Sequence, residues 1–171
     1  MEHILIVGHQ GVGKSTLIGK ILNELQLPVC GFVTKKEAQL EDGSCPVYIH
    51  SAVGERQYDK SNLIGSCKDF CSTGYPEVFD AHAHLITGAP EGGVMLMDEL
   101  GVMENKAEIF RAAVMGALDT RQLVVASVRD KNSEFLDAVR AHKKARCFYV
   151  TKDSRDKVWE EVLSYIRASK R

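Results

Sequence analysis

The chain has 171 residues, of which 44% are hydrophobic and 26% are charged, so it is long enough for one sizeable core and we expect a single domain over residues 1–171. The formal net charge is -1 and no long run of Lys and Arg occurs, which argues against a nucleic-acid-binding protein. No segment reaches the roughly 18 to 20 continuous apolar residues of a membrane-spanning helix and no cleavable leader is evident, so we expect a cytoplasmic protein without membrane contact.

Apolar runs of strand length alternate with helical patterns along the chain. Strands are predicted at residues 3–7, 29–34, 93–97, 122–128 and 146–150. Helices are predicted over residues 14–25, 104–118, 132–142 and 153–168. Short Val-, Ile- and Leu-rich strands between helices indicate an α/β protein whose doubly wound, mostly parallel sheet is covered on both faces.

Residues 36–92 interrupt this alternation and form an insertion-like segment within the domain. The alternating run CPVYIHS (45–51) lies between polar loops and predicts one antiparallel strand or a small hairpin at the sheet edge. The run PEVFDAHAHLI (76–86) predicts a short helix. We expect this segment to supply loops that cover a ligand.

The stretch VGHQGVGKST (7–16) joins the first predicted strand to the first predicted helix. It fits the pattern G-x-x-x-x-G-K-[ST], and a glycine-rich loop in this position lets backbone N–H groups surround a phosphate at a helix N-terminus. Lys14 would reach the β- and γ-phosphates of a nucleotide, and Ser15 would bind Mg²⁺. The predicted nucleotide-binding residues are Gly8, His9, Gln10, Gly11, Val12, Gly13, Lys14, Ser15 and Thr16.

The run VMLMDE (94–99) ends in two carboxylates at the edge of the sheet where such proteins bind ligands. Asp98 fits the acidic residue that holds Mg²⁺ opposite Ser15, and Glu99 is placed to take a proton from water. Alone, this run is equally typical of a polar cap after a core strand. The phosphate loop in the same chain favours the catalytic interpretation.

Three further polar residues lie at or after predicted strand ends. Ser127 would sense the γ-phosphate or orient water, and it is equally compatible with a simple strand cap. Arg129 and Arg155 would offset the negative charge that develops during phosphoryl transfer, or would be ordinary surface arginines.

Two other patterns do not support a site. VTKDS (150–154) departs from the guanine-reading T-K-x-D signature because Asp153 comes one residue early, so no guanine specificity is predicted. Cys67 with Cys71, and His82 with His84, match no standard zinc spacing. The five cysteines are expected to be free thiols.

Four stretches together resemble a known family. GHQGVGKSTLI (8–18), VCGFVTKKE (29–37), MDELGVME (97–104) and FYVTKDSRD (148–156) are similar to the small, broad-specificity P-loop nucleoside triphosphatases, which include the cancer-related nucleoside triphosphatase and its thermophile relatives. The resemblance implies that Lys14 and Ser15 bind phosphate and Mg²⁺, that Asp98 completes the metal site and that Glu99 activates water. Members of this family usually have an arginine soon after the strand that matches GFVT. Residues 35–50 of this chain depart from that pattern, so a phosphate contact from such an arginine is not assigned.

These observations predict a three-layer P-loop NTPase fold with its five core strands in the order 2-3-4-1-5 and a small antiparallel edge hairpin. The expected activity is Mg²⁺-dependent hydrolysis of ATP, GTP, CTP and UTP to diphosphate and phosphate. Two alternatives are a nucleotide or small-molecule kinase with an acceptor pocket supplied by residues 36–92, and a nucleotide-dependent switch protein. The adjacent Asp98 and Glu99 favour water as the phosphoryl acceptor.

Overall fold

The computed structural model describes residues 1–88, 90 and 92–169, and its central element is an eight-stranded sheet. The strands are β1 (His3–Gly8), β2 (Val29–Lys36), β3 (Cys45–Ser51), β4 (Leu63–Lys68), β5 (Cys71–Gly74), β6 (Val94–Leu100), β7 (Leu123–Arg129) and β8 (Ala145–Tyr149). The helices are α1 (Lys14–Leu25), α2 (Pro76–Ala81), α3 (His84–Thr87), α4 (Glu108–Asp119), α5 (Glu134–Arg140) and α6 (Arg155–Ser169). Within the described part of the chain, none of these helices has the length and apolar character needed to cross a membrane.

The strand order is β5-β4-β3-β2-β6-β7-β1-β8. The five strands β2, β6, β7, β1 and β8 pair in parallel, in the same order as the predicted core. The strands β3, β4 and β5 extend this sheet by antiparallel pairing from β2. The mixed α/β class and the mostly parallel sheet expected from the sequence are confirmed.

Two hydrophobic cores lie on opposite faces of the sheet. Side chains alternate along β1, so Leu5 and Val7 belong to one core and Ile4 and Ile6 belong to the other. The first core is completed by α2 to α5, and the second by α1 and α6. Burial of β1 on both faces explains why its sequence reads as an uninterrupted apolar run.

The edge of the sheet differs from the prediction. One antiparallel strand or a hairpin was expected, whereas the chain forms three antiparallel strands. The strand β4 pairs with β3, and β5 pairs with β4, despite their short and partly polar sequences. The single helix predicted over residues 76–86 is instead two short helices, α2 and α3. Of the predicted insertion, Ala89 and Glu91 lie outside the described residues.

Two helices begin later than expected. The helix predicted from residue 104 starts at Glu108, because Glu104 is buried in the preceding loop and its carboxylate accepts a hydrogen bond from the Gly101 amide. The helix predicted from residue 132 starts at Glu134, because the Ser133 hydroxyl accepts a hydrogen bond from the Leu136 amide and caps the helix.

The segment between β6 and α4, residues 101–107, packs directly against the antiparallel strands. A Cβ atom added to Gly74 would lie 2.0 Å from the Met103 carbonyl oxygen. A Cβ atom added to Gly65 would lie 2.2 Å from the Thr73 carbonyl oxygen and 3.2 Å from the Met103 sulfur. Glycine at these positions therefore allows the backbone around Met103 to approach β4 and β5.

Substitution of Gly74 tests this packing. We expect Gly74→Ala to lower the free energy of unfolding by about 1–3 kcal/mol, because the new methyl group would overlap the Met103 carbonyl. Gly116→Ala is the matched control: Gly116 lies within α4 with open space around it, and alanine there should raise the free energy of unfolding by about 0.5–1 kcal/mol. Equilibrium unfolding in urea measures both changes. A Gly74→Ala variant as stable as the native chain would contradict the close approach.

Candidate active site

The loop between β1 and α1 has the geometry of an anion-binding turn. Gly11 and Gly13 adopt left-handed backbone conformations, with φ of 77° and 97°. Gly13 is the N-cap of α1 and offers no side chain to the first-turn amides, which therefore remain available to an anion. The helix begins at Lys14, so the positive end of its dipole lies at the loop.

Lys14 is the most constrained cation of the site. Its side chain is buried, and Nζ donates hydrogen bonds to the carbonyl oxygens of Gly8 (2.9 Å) and His9 (2.7 Å). The same Nζ lies 2.8 Å from the Glu99 Oε2 atom. An ammonium group has three donors, so these contacts account for all of them.

Glu99 connects the phosphate loop to the ends of β2 and β7. One carboxylate oxygen pairs with Lys14 and the other accepts a hydrogen bond from the Arg129 guanidinium. The Glu99 amide donates a hydrogen bond to the Thr34 hydroxyl (3.2 Å). The carboxylate is thus held between two cations while 22% of its side-chain surface stays exposed.

Asp98 faces two hydroxyl groups. Ser15 Oγ donates a hydrogen bond to Asp98 Oδ1 (3.3 Å), and Ser127 Oγ donates one to the same oxygen. Burial raises the pKa of the Asp98 carboxyl, and the hydrogen bonds from Ser127 and Ser15 oppose this change. Mg²⁺ prefers oxygen ligands, so the Ser15 hydroxyl and the Asp98 carboxylate are the groups that would hold a magnesium ion here.

An irregularity in β6 lets two consecutive carboxylates serve one site. In a regular strand, neighbouring side chains point to opposite faces. The pairing of β6 with β7 shifts between Met97 and Leu100, so Asp98 and Glu99 have no register partner in β7. Asp98 then reaches Ser15 and Glu99 reaches Lys14, two adjacent residues of α1.

The structure brings most of the predicted residues together. The side chains joined by hydrogen bonds or ion pairs are Lys14, Ser15, Asp98, Glu99, Ser127 and Arg129. With Gln10, Gly11, Gly13 and Thr16, all of these except Ser127 line a cavity of about 370 Å³.

Other predicted residues lie elsewhere around the loop. A Cβ atom added to Gly13 would lie 2.9 Å from Arg155 Cδ, so Arg155 packs over the phosphate loop. His9 is exposed, with Nε2 3.9 Å from Asp130 Oδ2. Val12 is part of the core. Gly8 lies so close to the Val150 carbonyl oxygen that an added Cβ atom would be 2.6 Å away.

Glu104 lines the same cavity and was not predicted as a site residue. Only 2% of its surface is exposed, and Oε1 accepts a hydrogen bond from the Gly101 amide (2.6 Å). Burial raises the pKa of Glu104 to about 7; the Gly101 hydrogen bond and the Arg129 charge oppose this shift, and the Glu99 charge adds to it. The only sequence signal was the place of Glu104 in the MDELGVME stretch (97–104).

Comparisons with known proteins find nucleoside-triphosphatases that match almost the whole chain. The sequence model of a protein family described as NTPase matches residues 3–163. The nucleoside-triphosphatase THEP1 of Metallosphaera sedula is 28% identical over 96% of this chain and 86% of that protein. The cancer-related nucleoside-triphosphatase homolog of Mus musculus is 27% identical over 99% of this chain and 98% of that protein. The crystal structure of THEP1 from Aquifex aeolicus superposes with a TM-score of 0.68 at 22% identity, covering 95% of this chain and 98% of that one.

The buried carboxyl of Glu104 predicts a pH-dependent stability. Its pKa of about 7 in the folded chain lies above the ordinary 4.5, so between these values the folded state keeps a proton that the unfolded chain has lost. The free energy of unfolding should therefore fall as pH rises through this window, by about 3 kcal/mol in total.

Glu104→Gln removes the titrating group and keeps an acceptor for the Gly101 amide. Urea unfolding of both proteins between pH 4.5 and 7.5 should show the variant gaining stability relative to the native chain as pH rises. Glu108→Gln, at an exposed position in the first turn of α4, should show no such trend. A difference between Glu104→Gln and the native chain that is constant with pH would contradict the prediction.

Proposed function

The chain belongs to the NTPase family and is a nucleoside-triphosphatase, and we propose that its reaction depends on Mg²⁺ and accepts ATP, GTP, CTP and UTP. The observation that carries the proposed Mg²⁺-dependent hydrolysis is the joint contact of Lys14 and Ser15 with Glu99 and Asp98 at the phosphate loop. Lys14 and Glu99 supply a cation and a base, and Ser15 and Asp98 supply two oxygen ligands for a metal ion.

The triphosphate would bind along residues 8–16, with its oxygens on the loop amides and on Lys14. All three donors of the Lys14 ammonium are already engaged, so a phosphate oxygen must replace one of their acceptors. Glu99 is the acceptor that can move, because the Gly8 and His9 carbonyls belong to the backbone of the loop. Binding of the substrate would thereby release one oxygen of the Glu99 carboxylate.

The released carboxylate is suited to accept a proton from water. It stays oriented through its second oxygen, which remains bonded to Arg129, and through its amide, which is held by Thr34. The water oxygen would attack the γ-phosphorus in line while the bond to the bridging oxygen breaks. Arg129 also offers a positive charge near the reacting group, which supports its proposed role in offsetting developing negative charge.

The metal site is proposed for Ser15 and Asp98. A bound Mg²⁺ would neutralise charge on the β- and γ-phosphate oxygens. Ser127 would keep the Asp98 carboxylate oriented toward Ser15, because its hydroxyl donates to the same oxygen that Ser15 contacts. This gives Ser127 a positioning role.

Glu99→Gln tests the proposed base. Hydrolysis of ATP should fall by roughly 10²- to 10⁴-fold, because glutamine cannot accept the proton. ATP affinity should be unchanged or higher, since Lys14 no longer gives up an ion pair on binding. Phosphate release and nucleotide titration measure the two effects, with the exposed Glu134→Gln as control. If Glu99→Gln hydrolyses ATP within about threefold of the native rate, Glu99 is not the base.

Asp98→Asn tests the proposed metal site. We expect a lower rate and a Mg²⁺ requirement shifted to higher concentration, because the amide oxygen is a weaker ligand than a carboxylate. A Mg²⁺ titration of phosphate release at saturating ATP measures the shift. Asp119→Asn, at the C-terminal end of α4, serves as the control. The same half-saturating Mg²⁺ concentration in Asp98→Asn and the native chain would be evidence against the metal role.

Nucleotide breadth is tested directly by comparing kcat/KM for ATP, GTP, CTP and UTP. The sequence has no base-reading motif, and one good polar contact to a base would already give about tenfold discrimination, so the four values should lie within roughly a decade. A thousandfold preference for one base would contradict the proposed breadth.

A further inference from the structure

The cavity that holds Lys14, Asp98 and Glu99 continues beyond these residues into an apolar compartment. Its walls there are formed by Val47, Ile64, Cys67, Phe79, Val102 and Met103. Hydrolysis needs room for one water molecule beside the γ-phosphate, and a water molecule gains nothing from apolar walls. The attacking water therefore does not account for this compartment.

One wall of the compartment is the face of the antiparallel strands. Lys36 in β2, Val47 in β3, Gly65 in β4 and Gly74 in β5 are successive register partners, so they form one row on one face of the sheet. Met103 covers the glycine end of this row. The Val47 and Lys36 side chains line the cavity at the other end.

The opposite wall is formed by the residues that directly follow β6 in the chain. Gly101, Val102 and Met103 come immediately after β6 and line the cavity. The Gly101 amide is bound to the buried Glu104, which fixes this segment. Since Val102 is three residues from Glu99, the compartment begins beside the proposed base.

The positive charge of Lys36 favours an occupant that carries an anionic group. Lys36 lines the cavity two residues beyond Thr34, whose hydroxyl accepts the Glu99 amide hydrogen bond. Two strand residues span roughly 7 Å, so the Lys36 backbone lies about that far along β2 from Thr34, and its side chain brings a cation to this part of the cavity. An occupant with an anionic group at Lys36 can place a hydroxyl group near Glu99.

We propose that the compartment is an acceptor subsite and that the protein also transfers the γ-phosphoryl group to a small hydroxyl compound with an apolar body and an anionic group. This rests on the proposed function, because it uses the same phosphate loop and the same base. The hydroxyl oxygen forms a bond to the γ-phosphorus, and the bond from phosphorus to the β,γ-bridging oxygen breaks. The hydroxyl proton passes to the Glu99 carboxylate, and the nucleoside diphosphate leaves.

The first experiment follows the fate of the γ-phosphate. The full chain is incubated with Mg²⁺ and γ-³²P-labelled ATP alone, with benzyl alcohol, or with 4-(hydroxymethyl)benzoate, whose hydroxyl and carboxylate are separated by a benzene ring. We expect a labelled phosphate ester of 4-(hydroxymethyl)benzoate at a level at least about tenfold above that of benzyl alcohol, because only the former can bind Lys36. Release of inorganic phosphate without any ester would overturn the acceptor subsite and leave the proposed hydrolysis standing. If neither product forms, the proposed function itself fails.

Variants locate the reaction in the compartment. Cys67→Phe places a larger side chain in the apolar part of the cavity and should lower the ratio of ester to phosphate at least about tenfold. Lys36→Met should remove the preference for 4-(hydroxymethyl)benzoate over benzyl alcohol. Cys71→Phe is the matched control: Cys71 is exposed on β5, does not line the cavity, and should keep the native ratio. The same loss of ester in Cys71→Phe as in Cys67→Phe would overturn the assignment.

A binding measurement makes the test independent of turnover and of the folding of variants. Methyl resonances of the methionines are recorded as 4-(hydroxymethyl)benzoate is added to the native chain without nucleotide. The Met103 methyl, which lines the compartment, should shift, and the Met115 methyl in α4, which does not line the cavity, should remain unchanged. If the Met103 methyl resonance does not shift at saturating 4-(hydroxymethyl)benzoate, the proposal is overturned.

Discussion

The three donors of the Lys14 ammonium are the constraint on which the site depends. They are shared among two loop carbonyls and Glu99, and the group is almost fully buried. A buried ammonium donor without an acceptor is costly, so Lys14 can contact a phosphate only by exchanging one partner for another. In our account that partner is Glu99. Substrate binding and the freeing of the base then become one event, and the carboxylate is engaged until a nucleotide is present.

The fold supports this exchange from several directions. Parallel pairing brings the ends of β1, β6 and β7 together, and the register shift after Met97 turns both Asp98 and Glu99 into the site. Residues 101–107, which follow β6, are fixed by two contacts. Met103 packs closely on Gly74, and the Gly101 amide donates a hydrogen bond to Glu104. The same segment forms one wall of the apolar compartment, so the features that position the base also shape the space beside it.

Much of this arrangement could be predicted from contiguous patterns in the sequence. The central parallel strands β1, β6 and β7 are apolar runs that are largely buried on both faces, and residues 7–16 carry their own phosphate-binding pattern. The strands β4 and β5 could not be predicted, because their polar and glycine residues are explained by contacts with Met103, far along the chain. Glu104 was missed because no local pattern shows that its carboxylate is buried beside the cavity and bonded to the Gly101 amide. The start of α6 was predicted to within two residues, but the packing of Arg155 over Gly13 joins segments far apart in the chain and could not be predicted.

A crystal structure of the chain with Mg²⁺ and a non-hydrolysable ATP analogue is the most direct test of the central claim. The account predicts that Lys14 Nζ, now 2.8 Å from Glu99 Oε2, moves beyond ~4 Å from that oxygen and lies within ~3.2 Å of a phosphate oxygen, while Glu99 stays bonded to Arg129. Lys14 still paired with Glu99 beside a bound triphosphate would contradict the exchange.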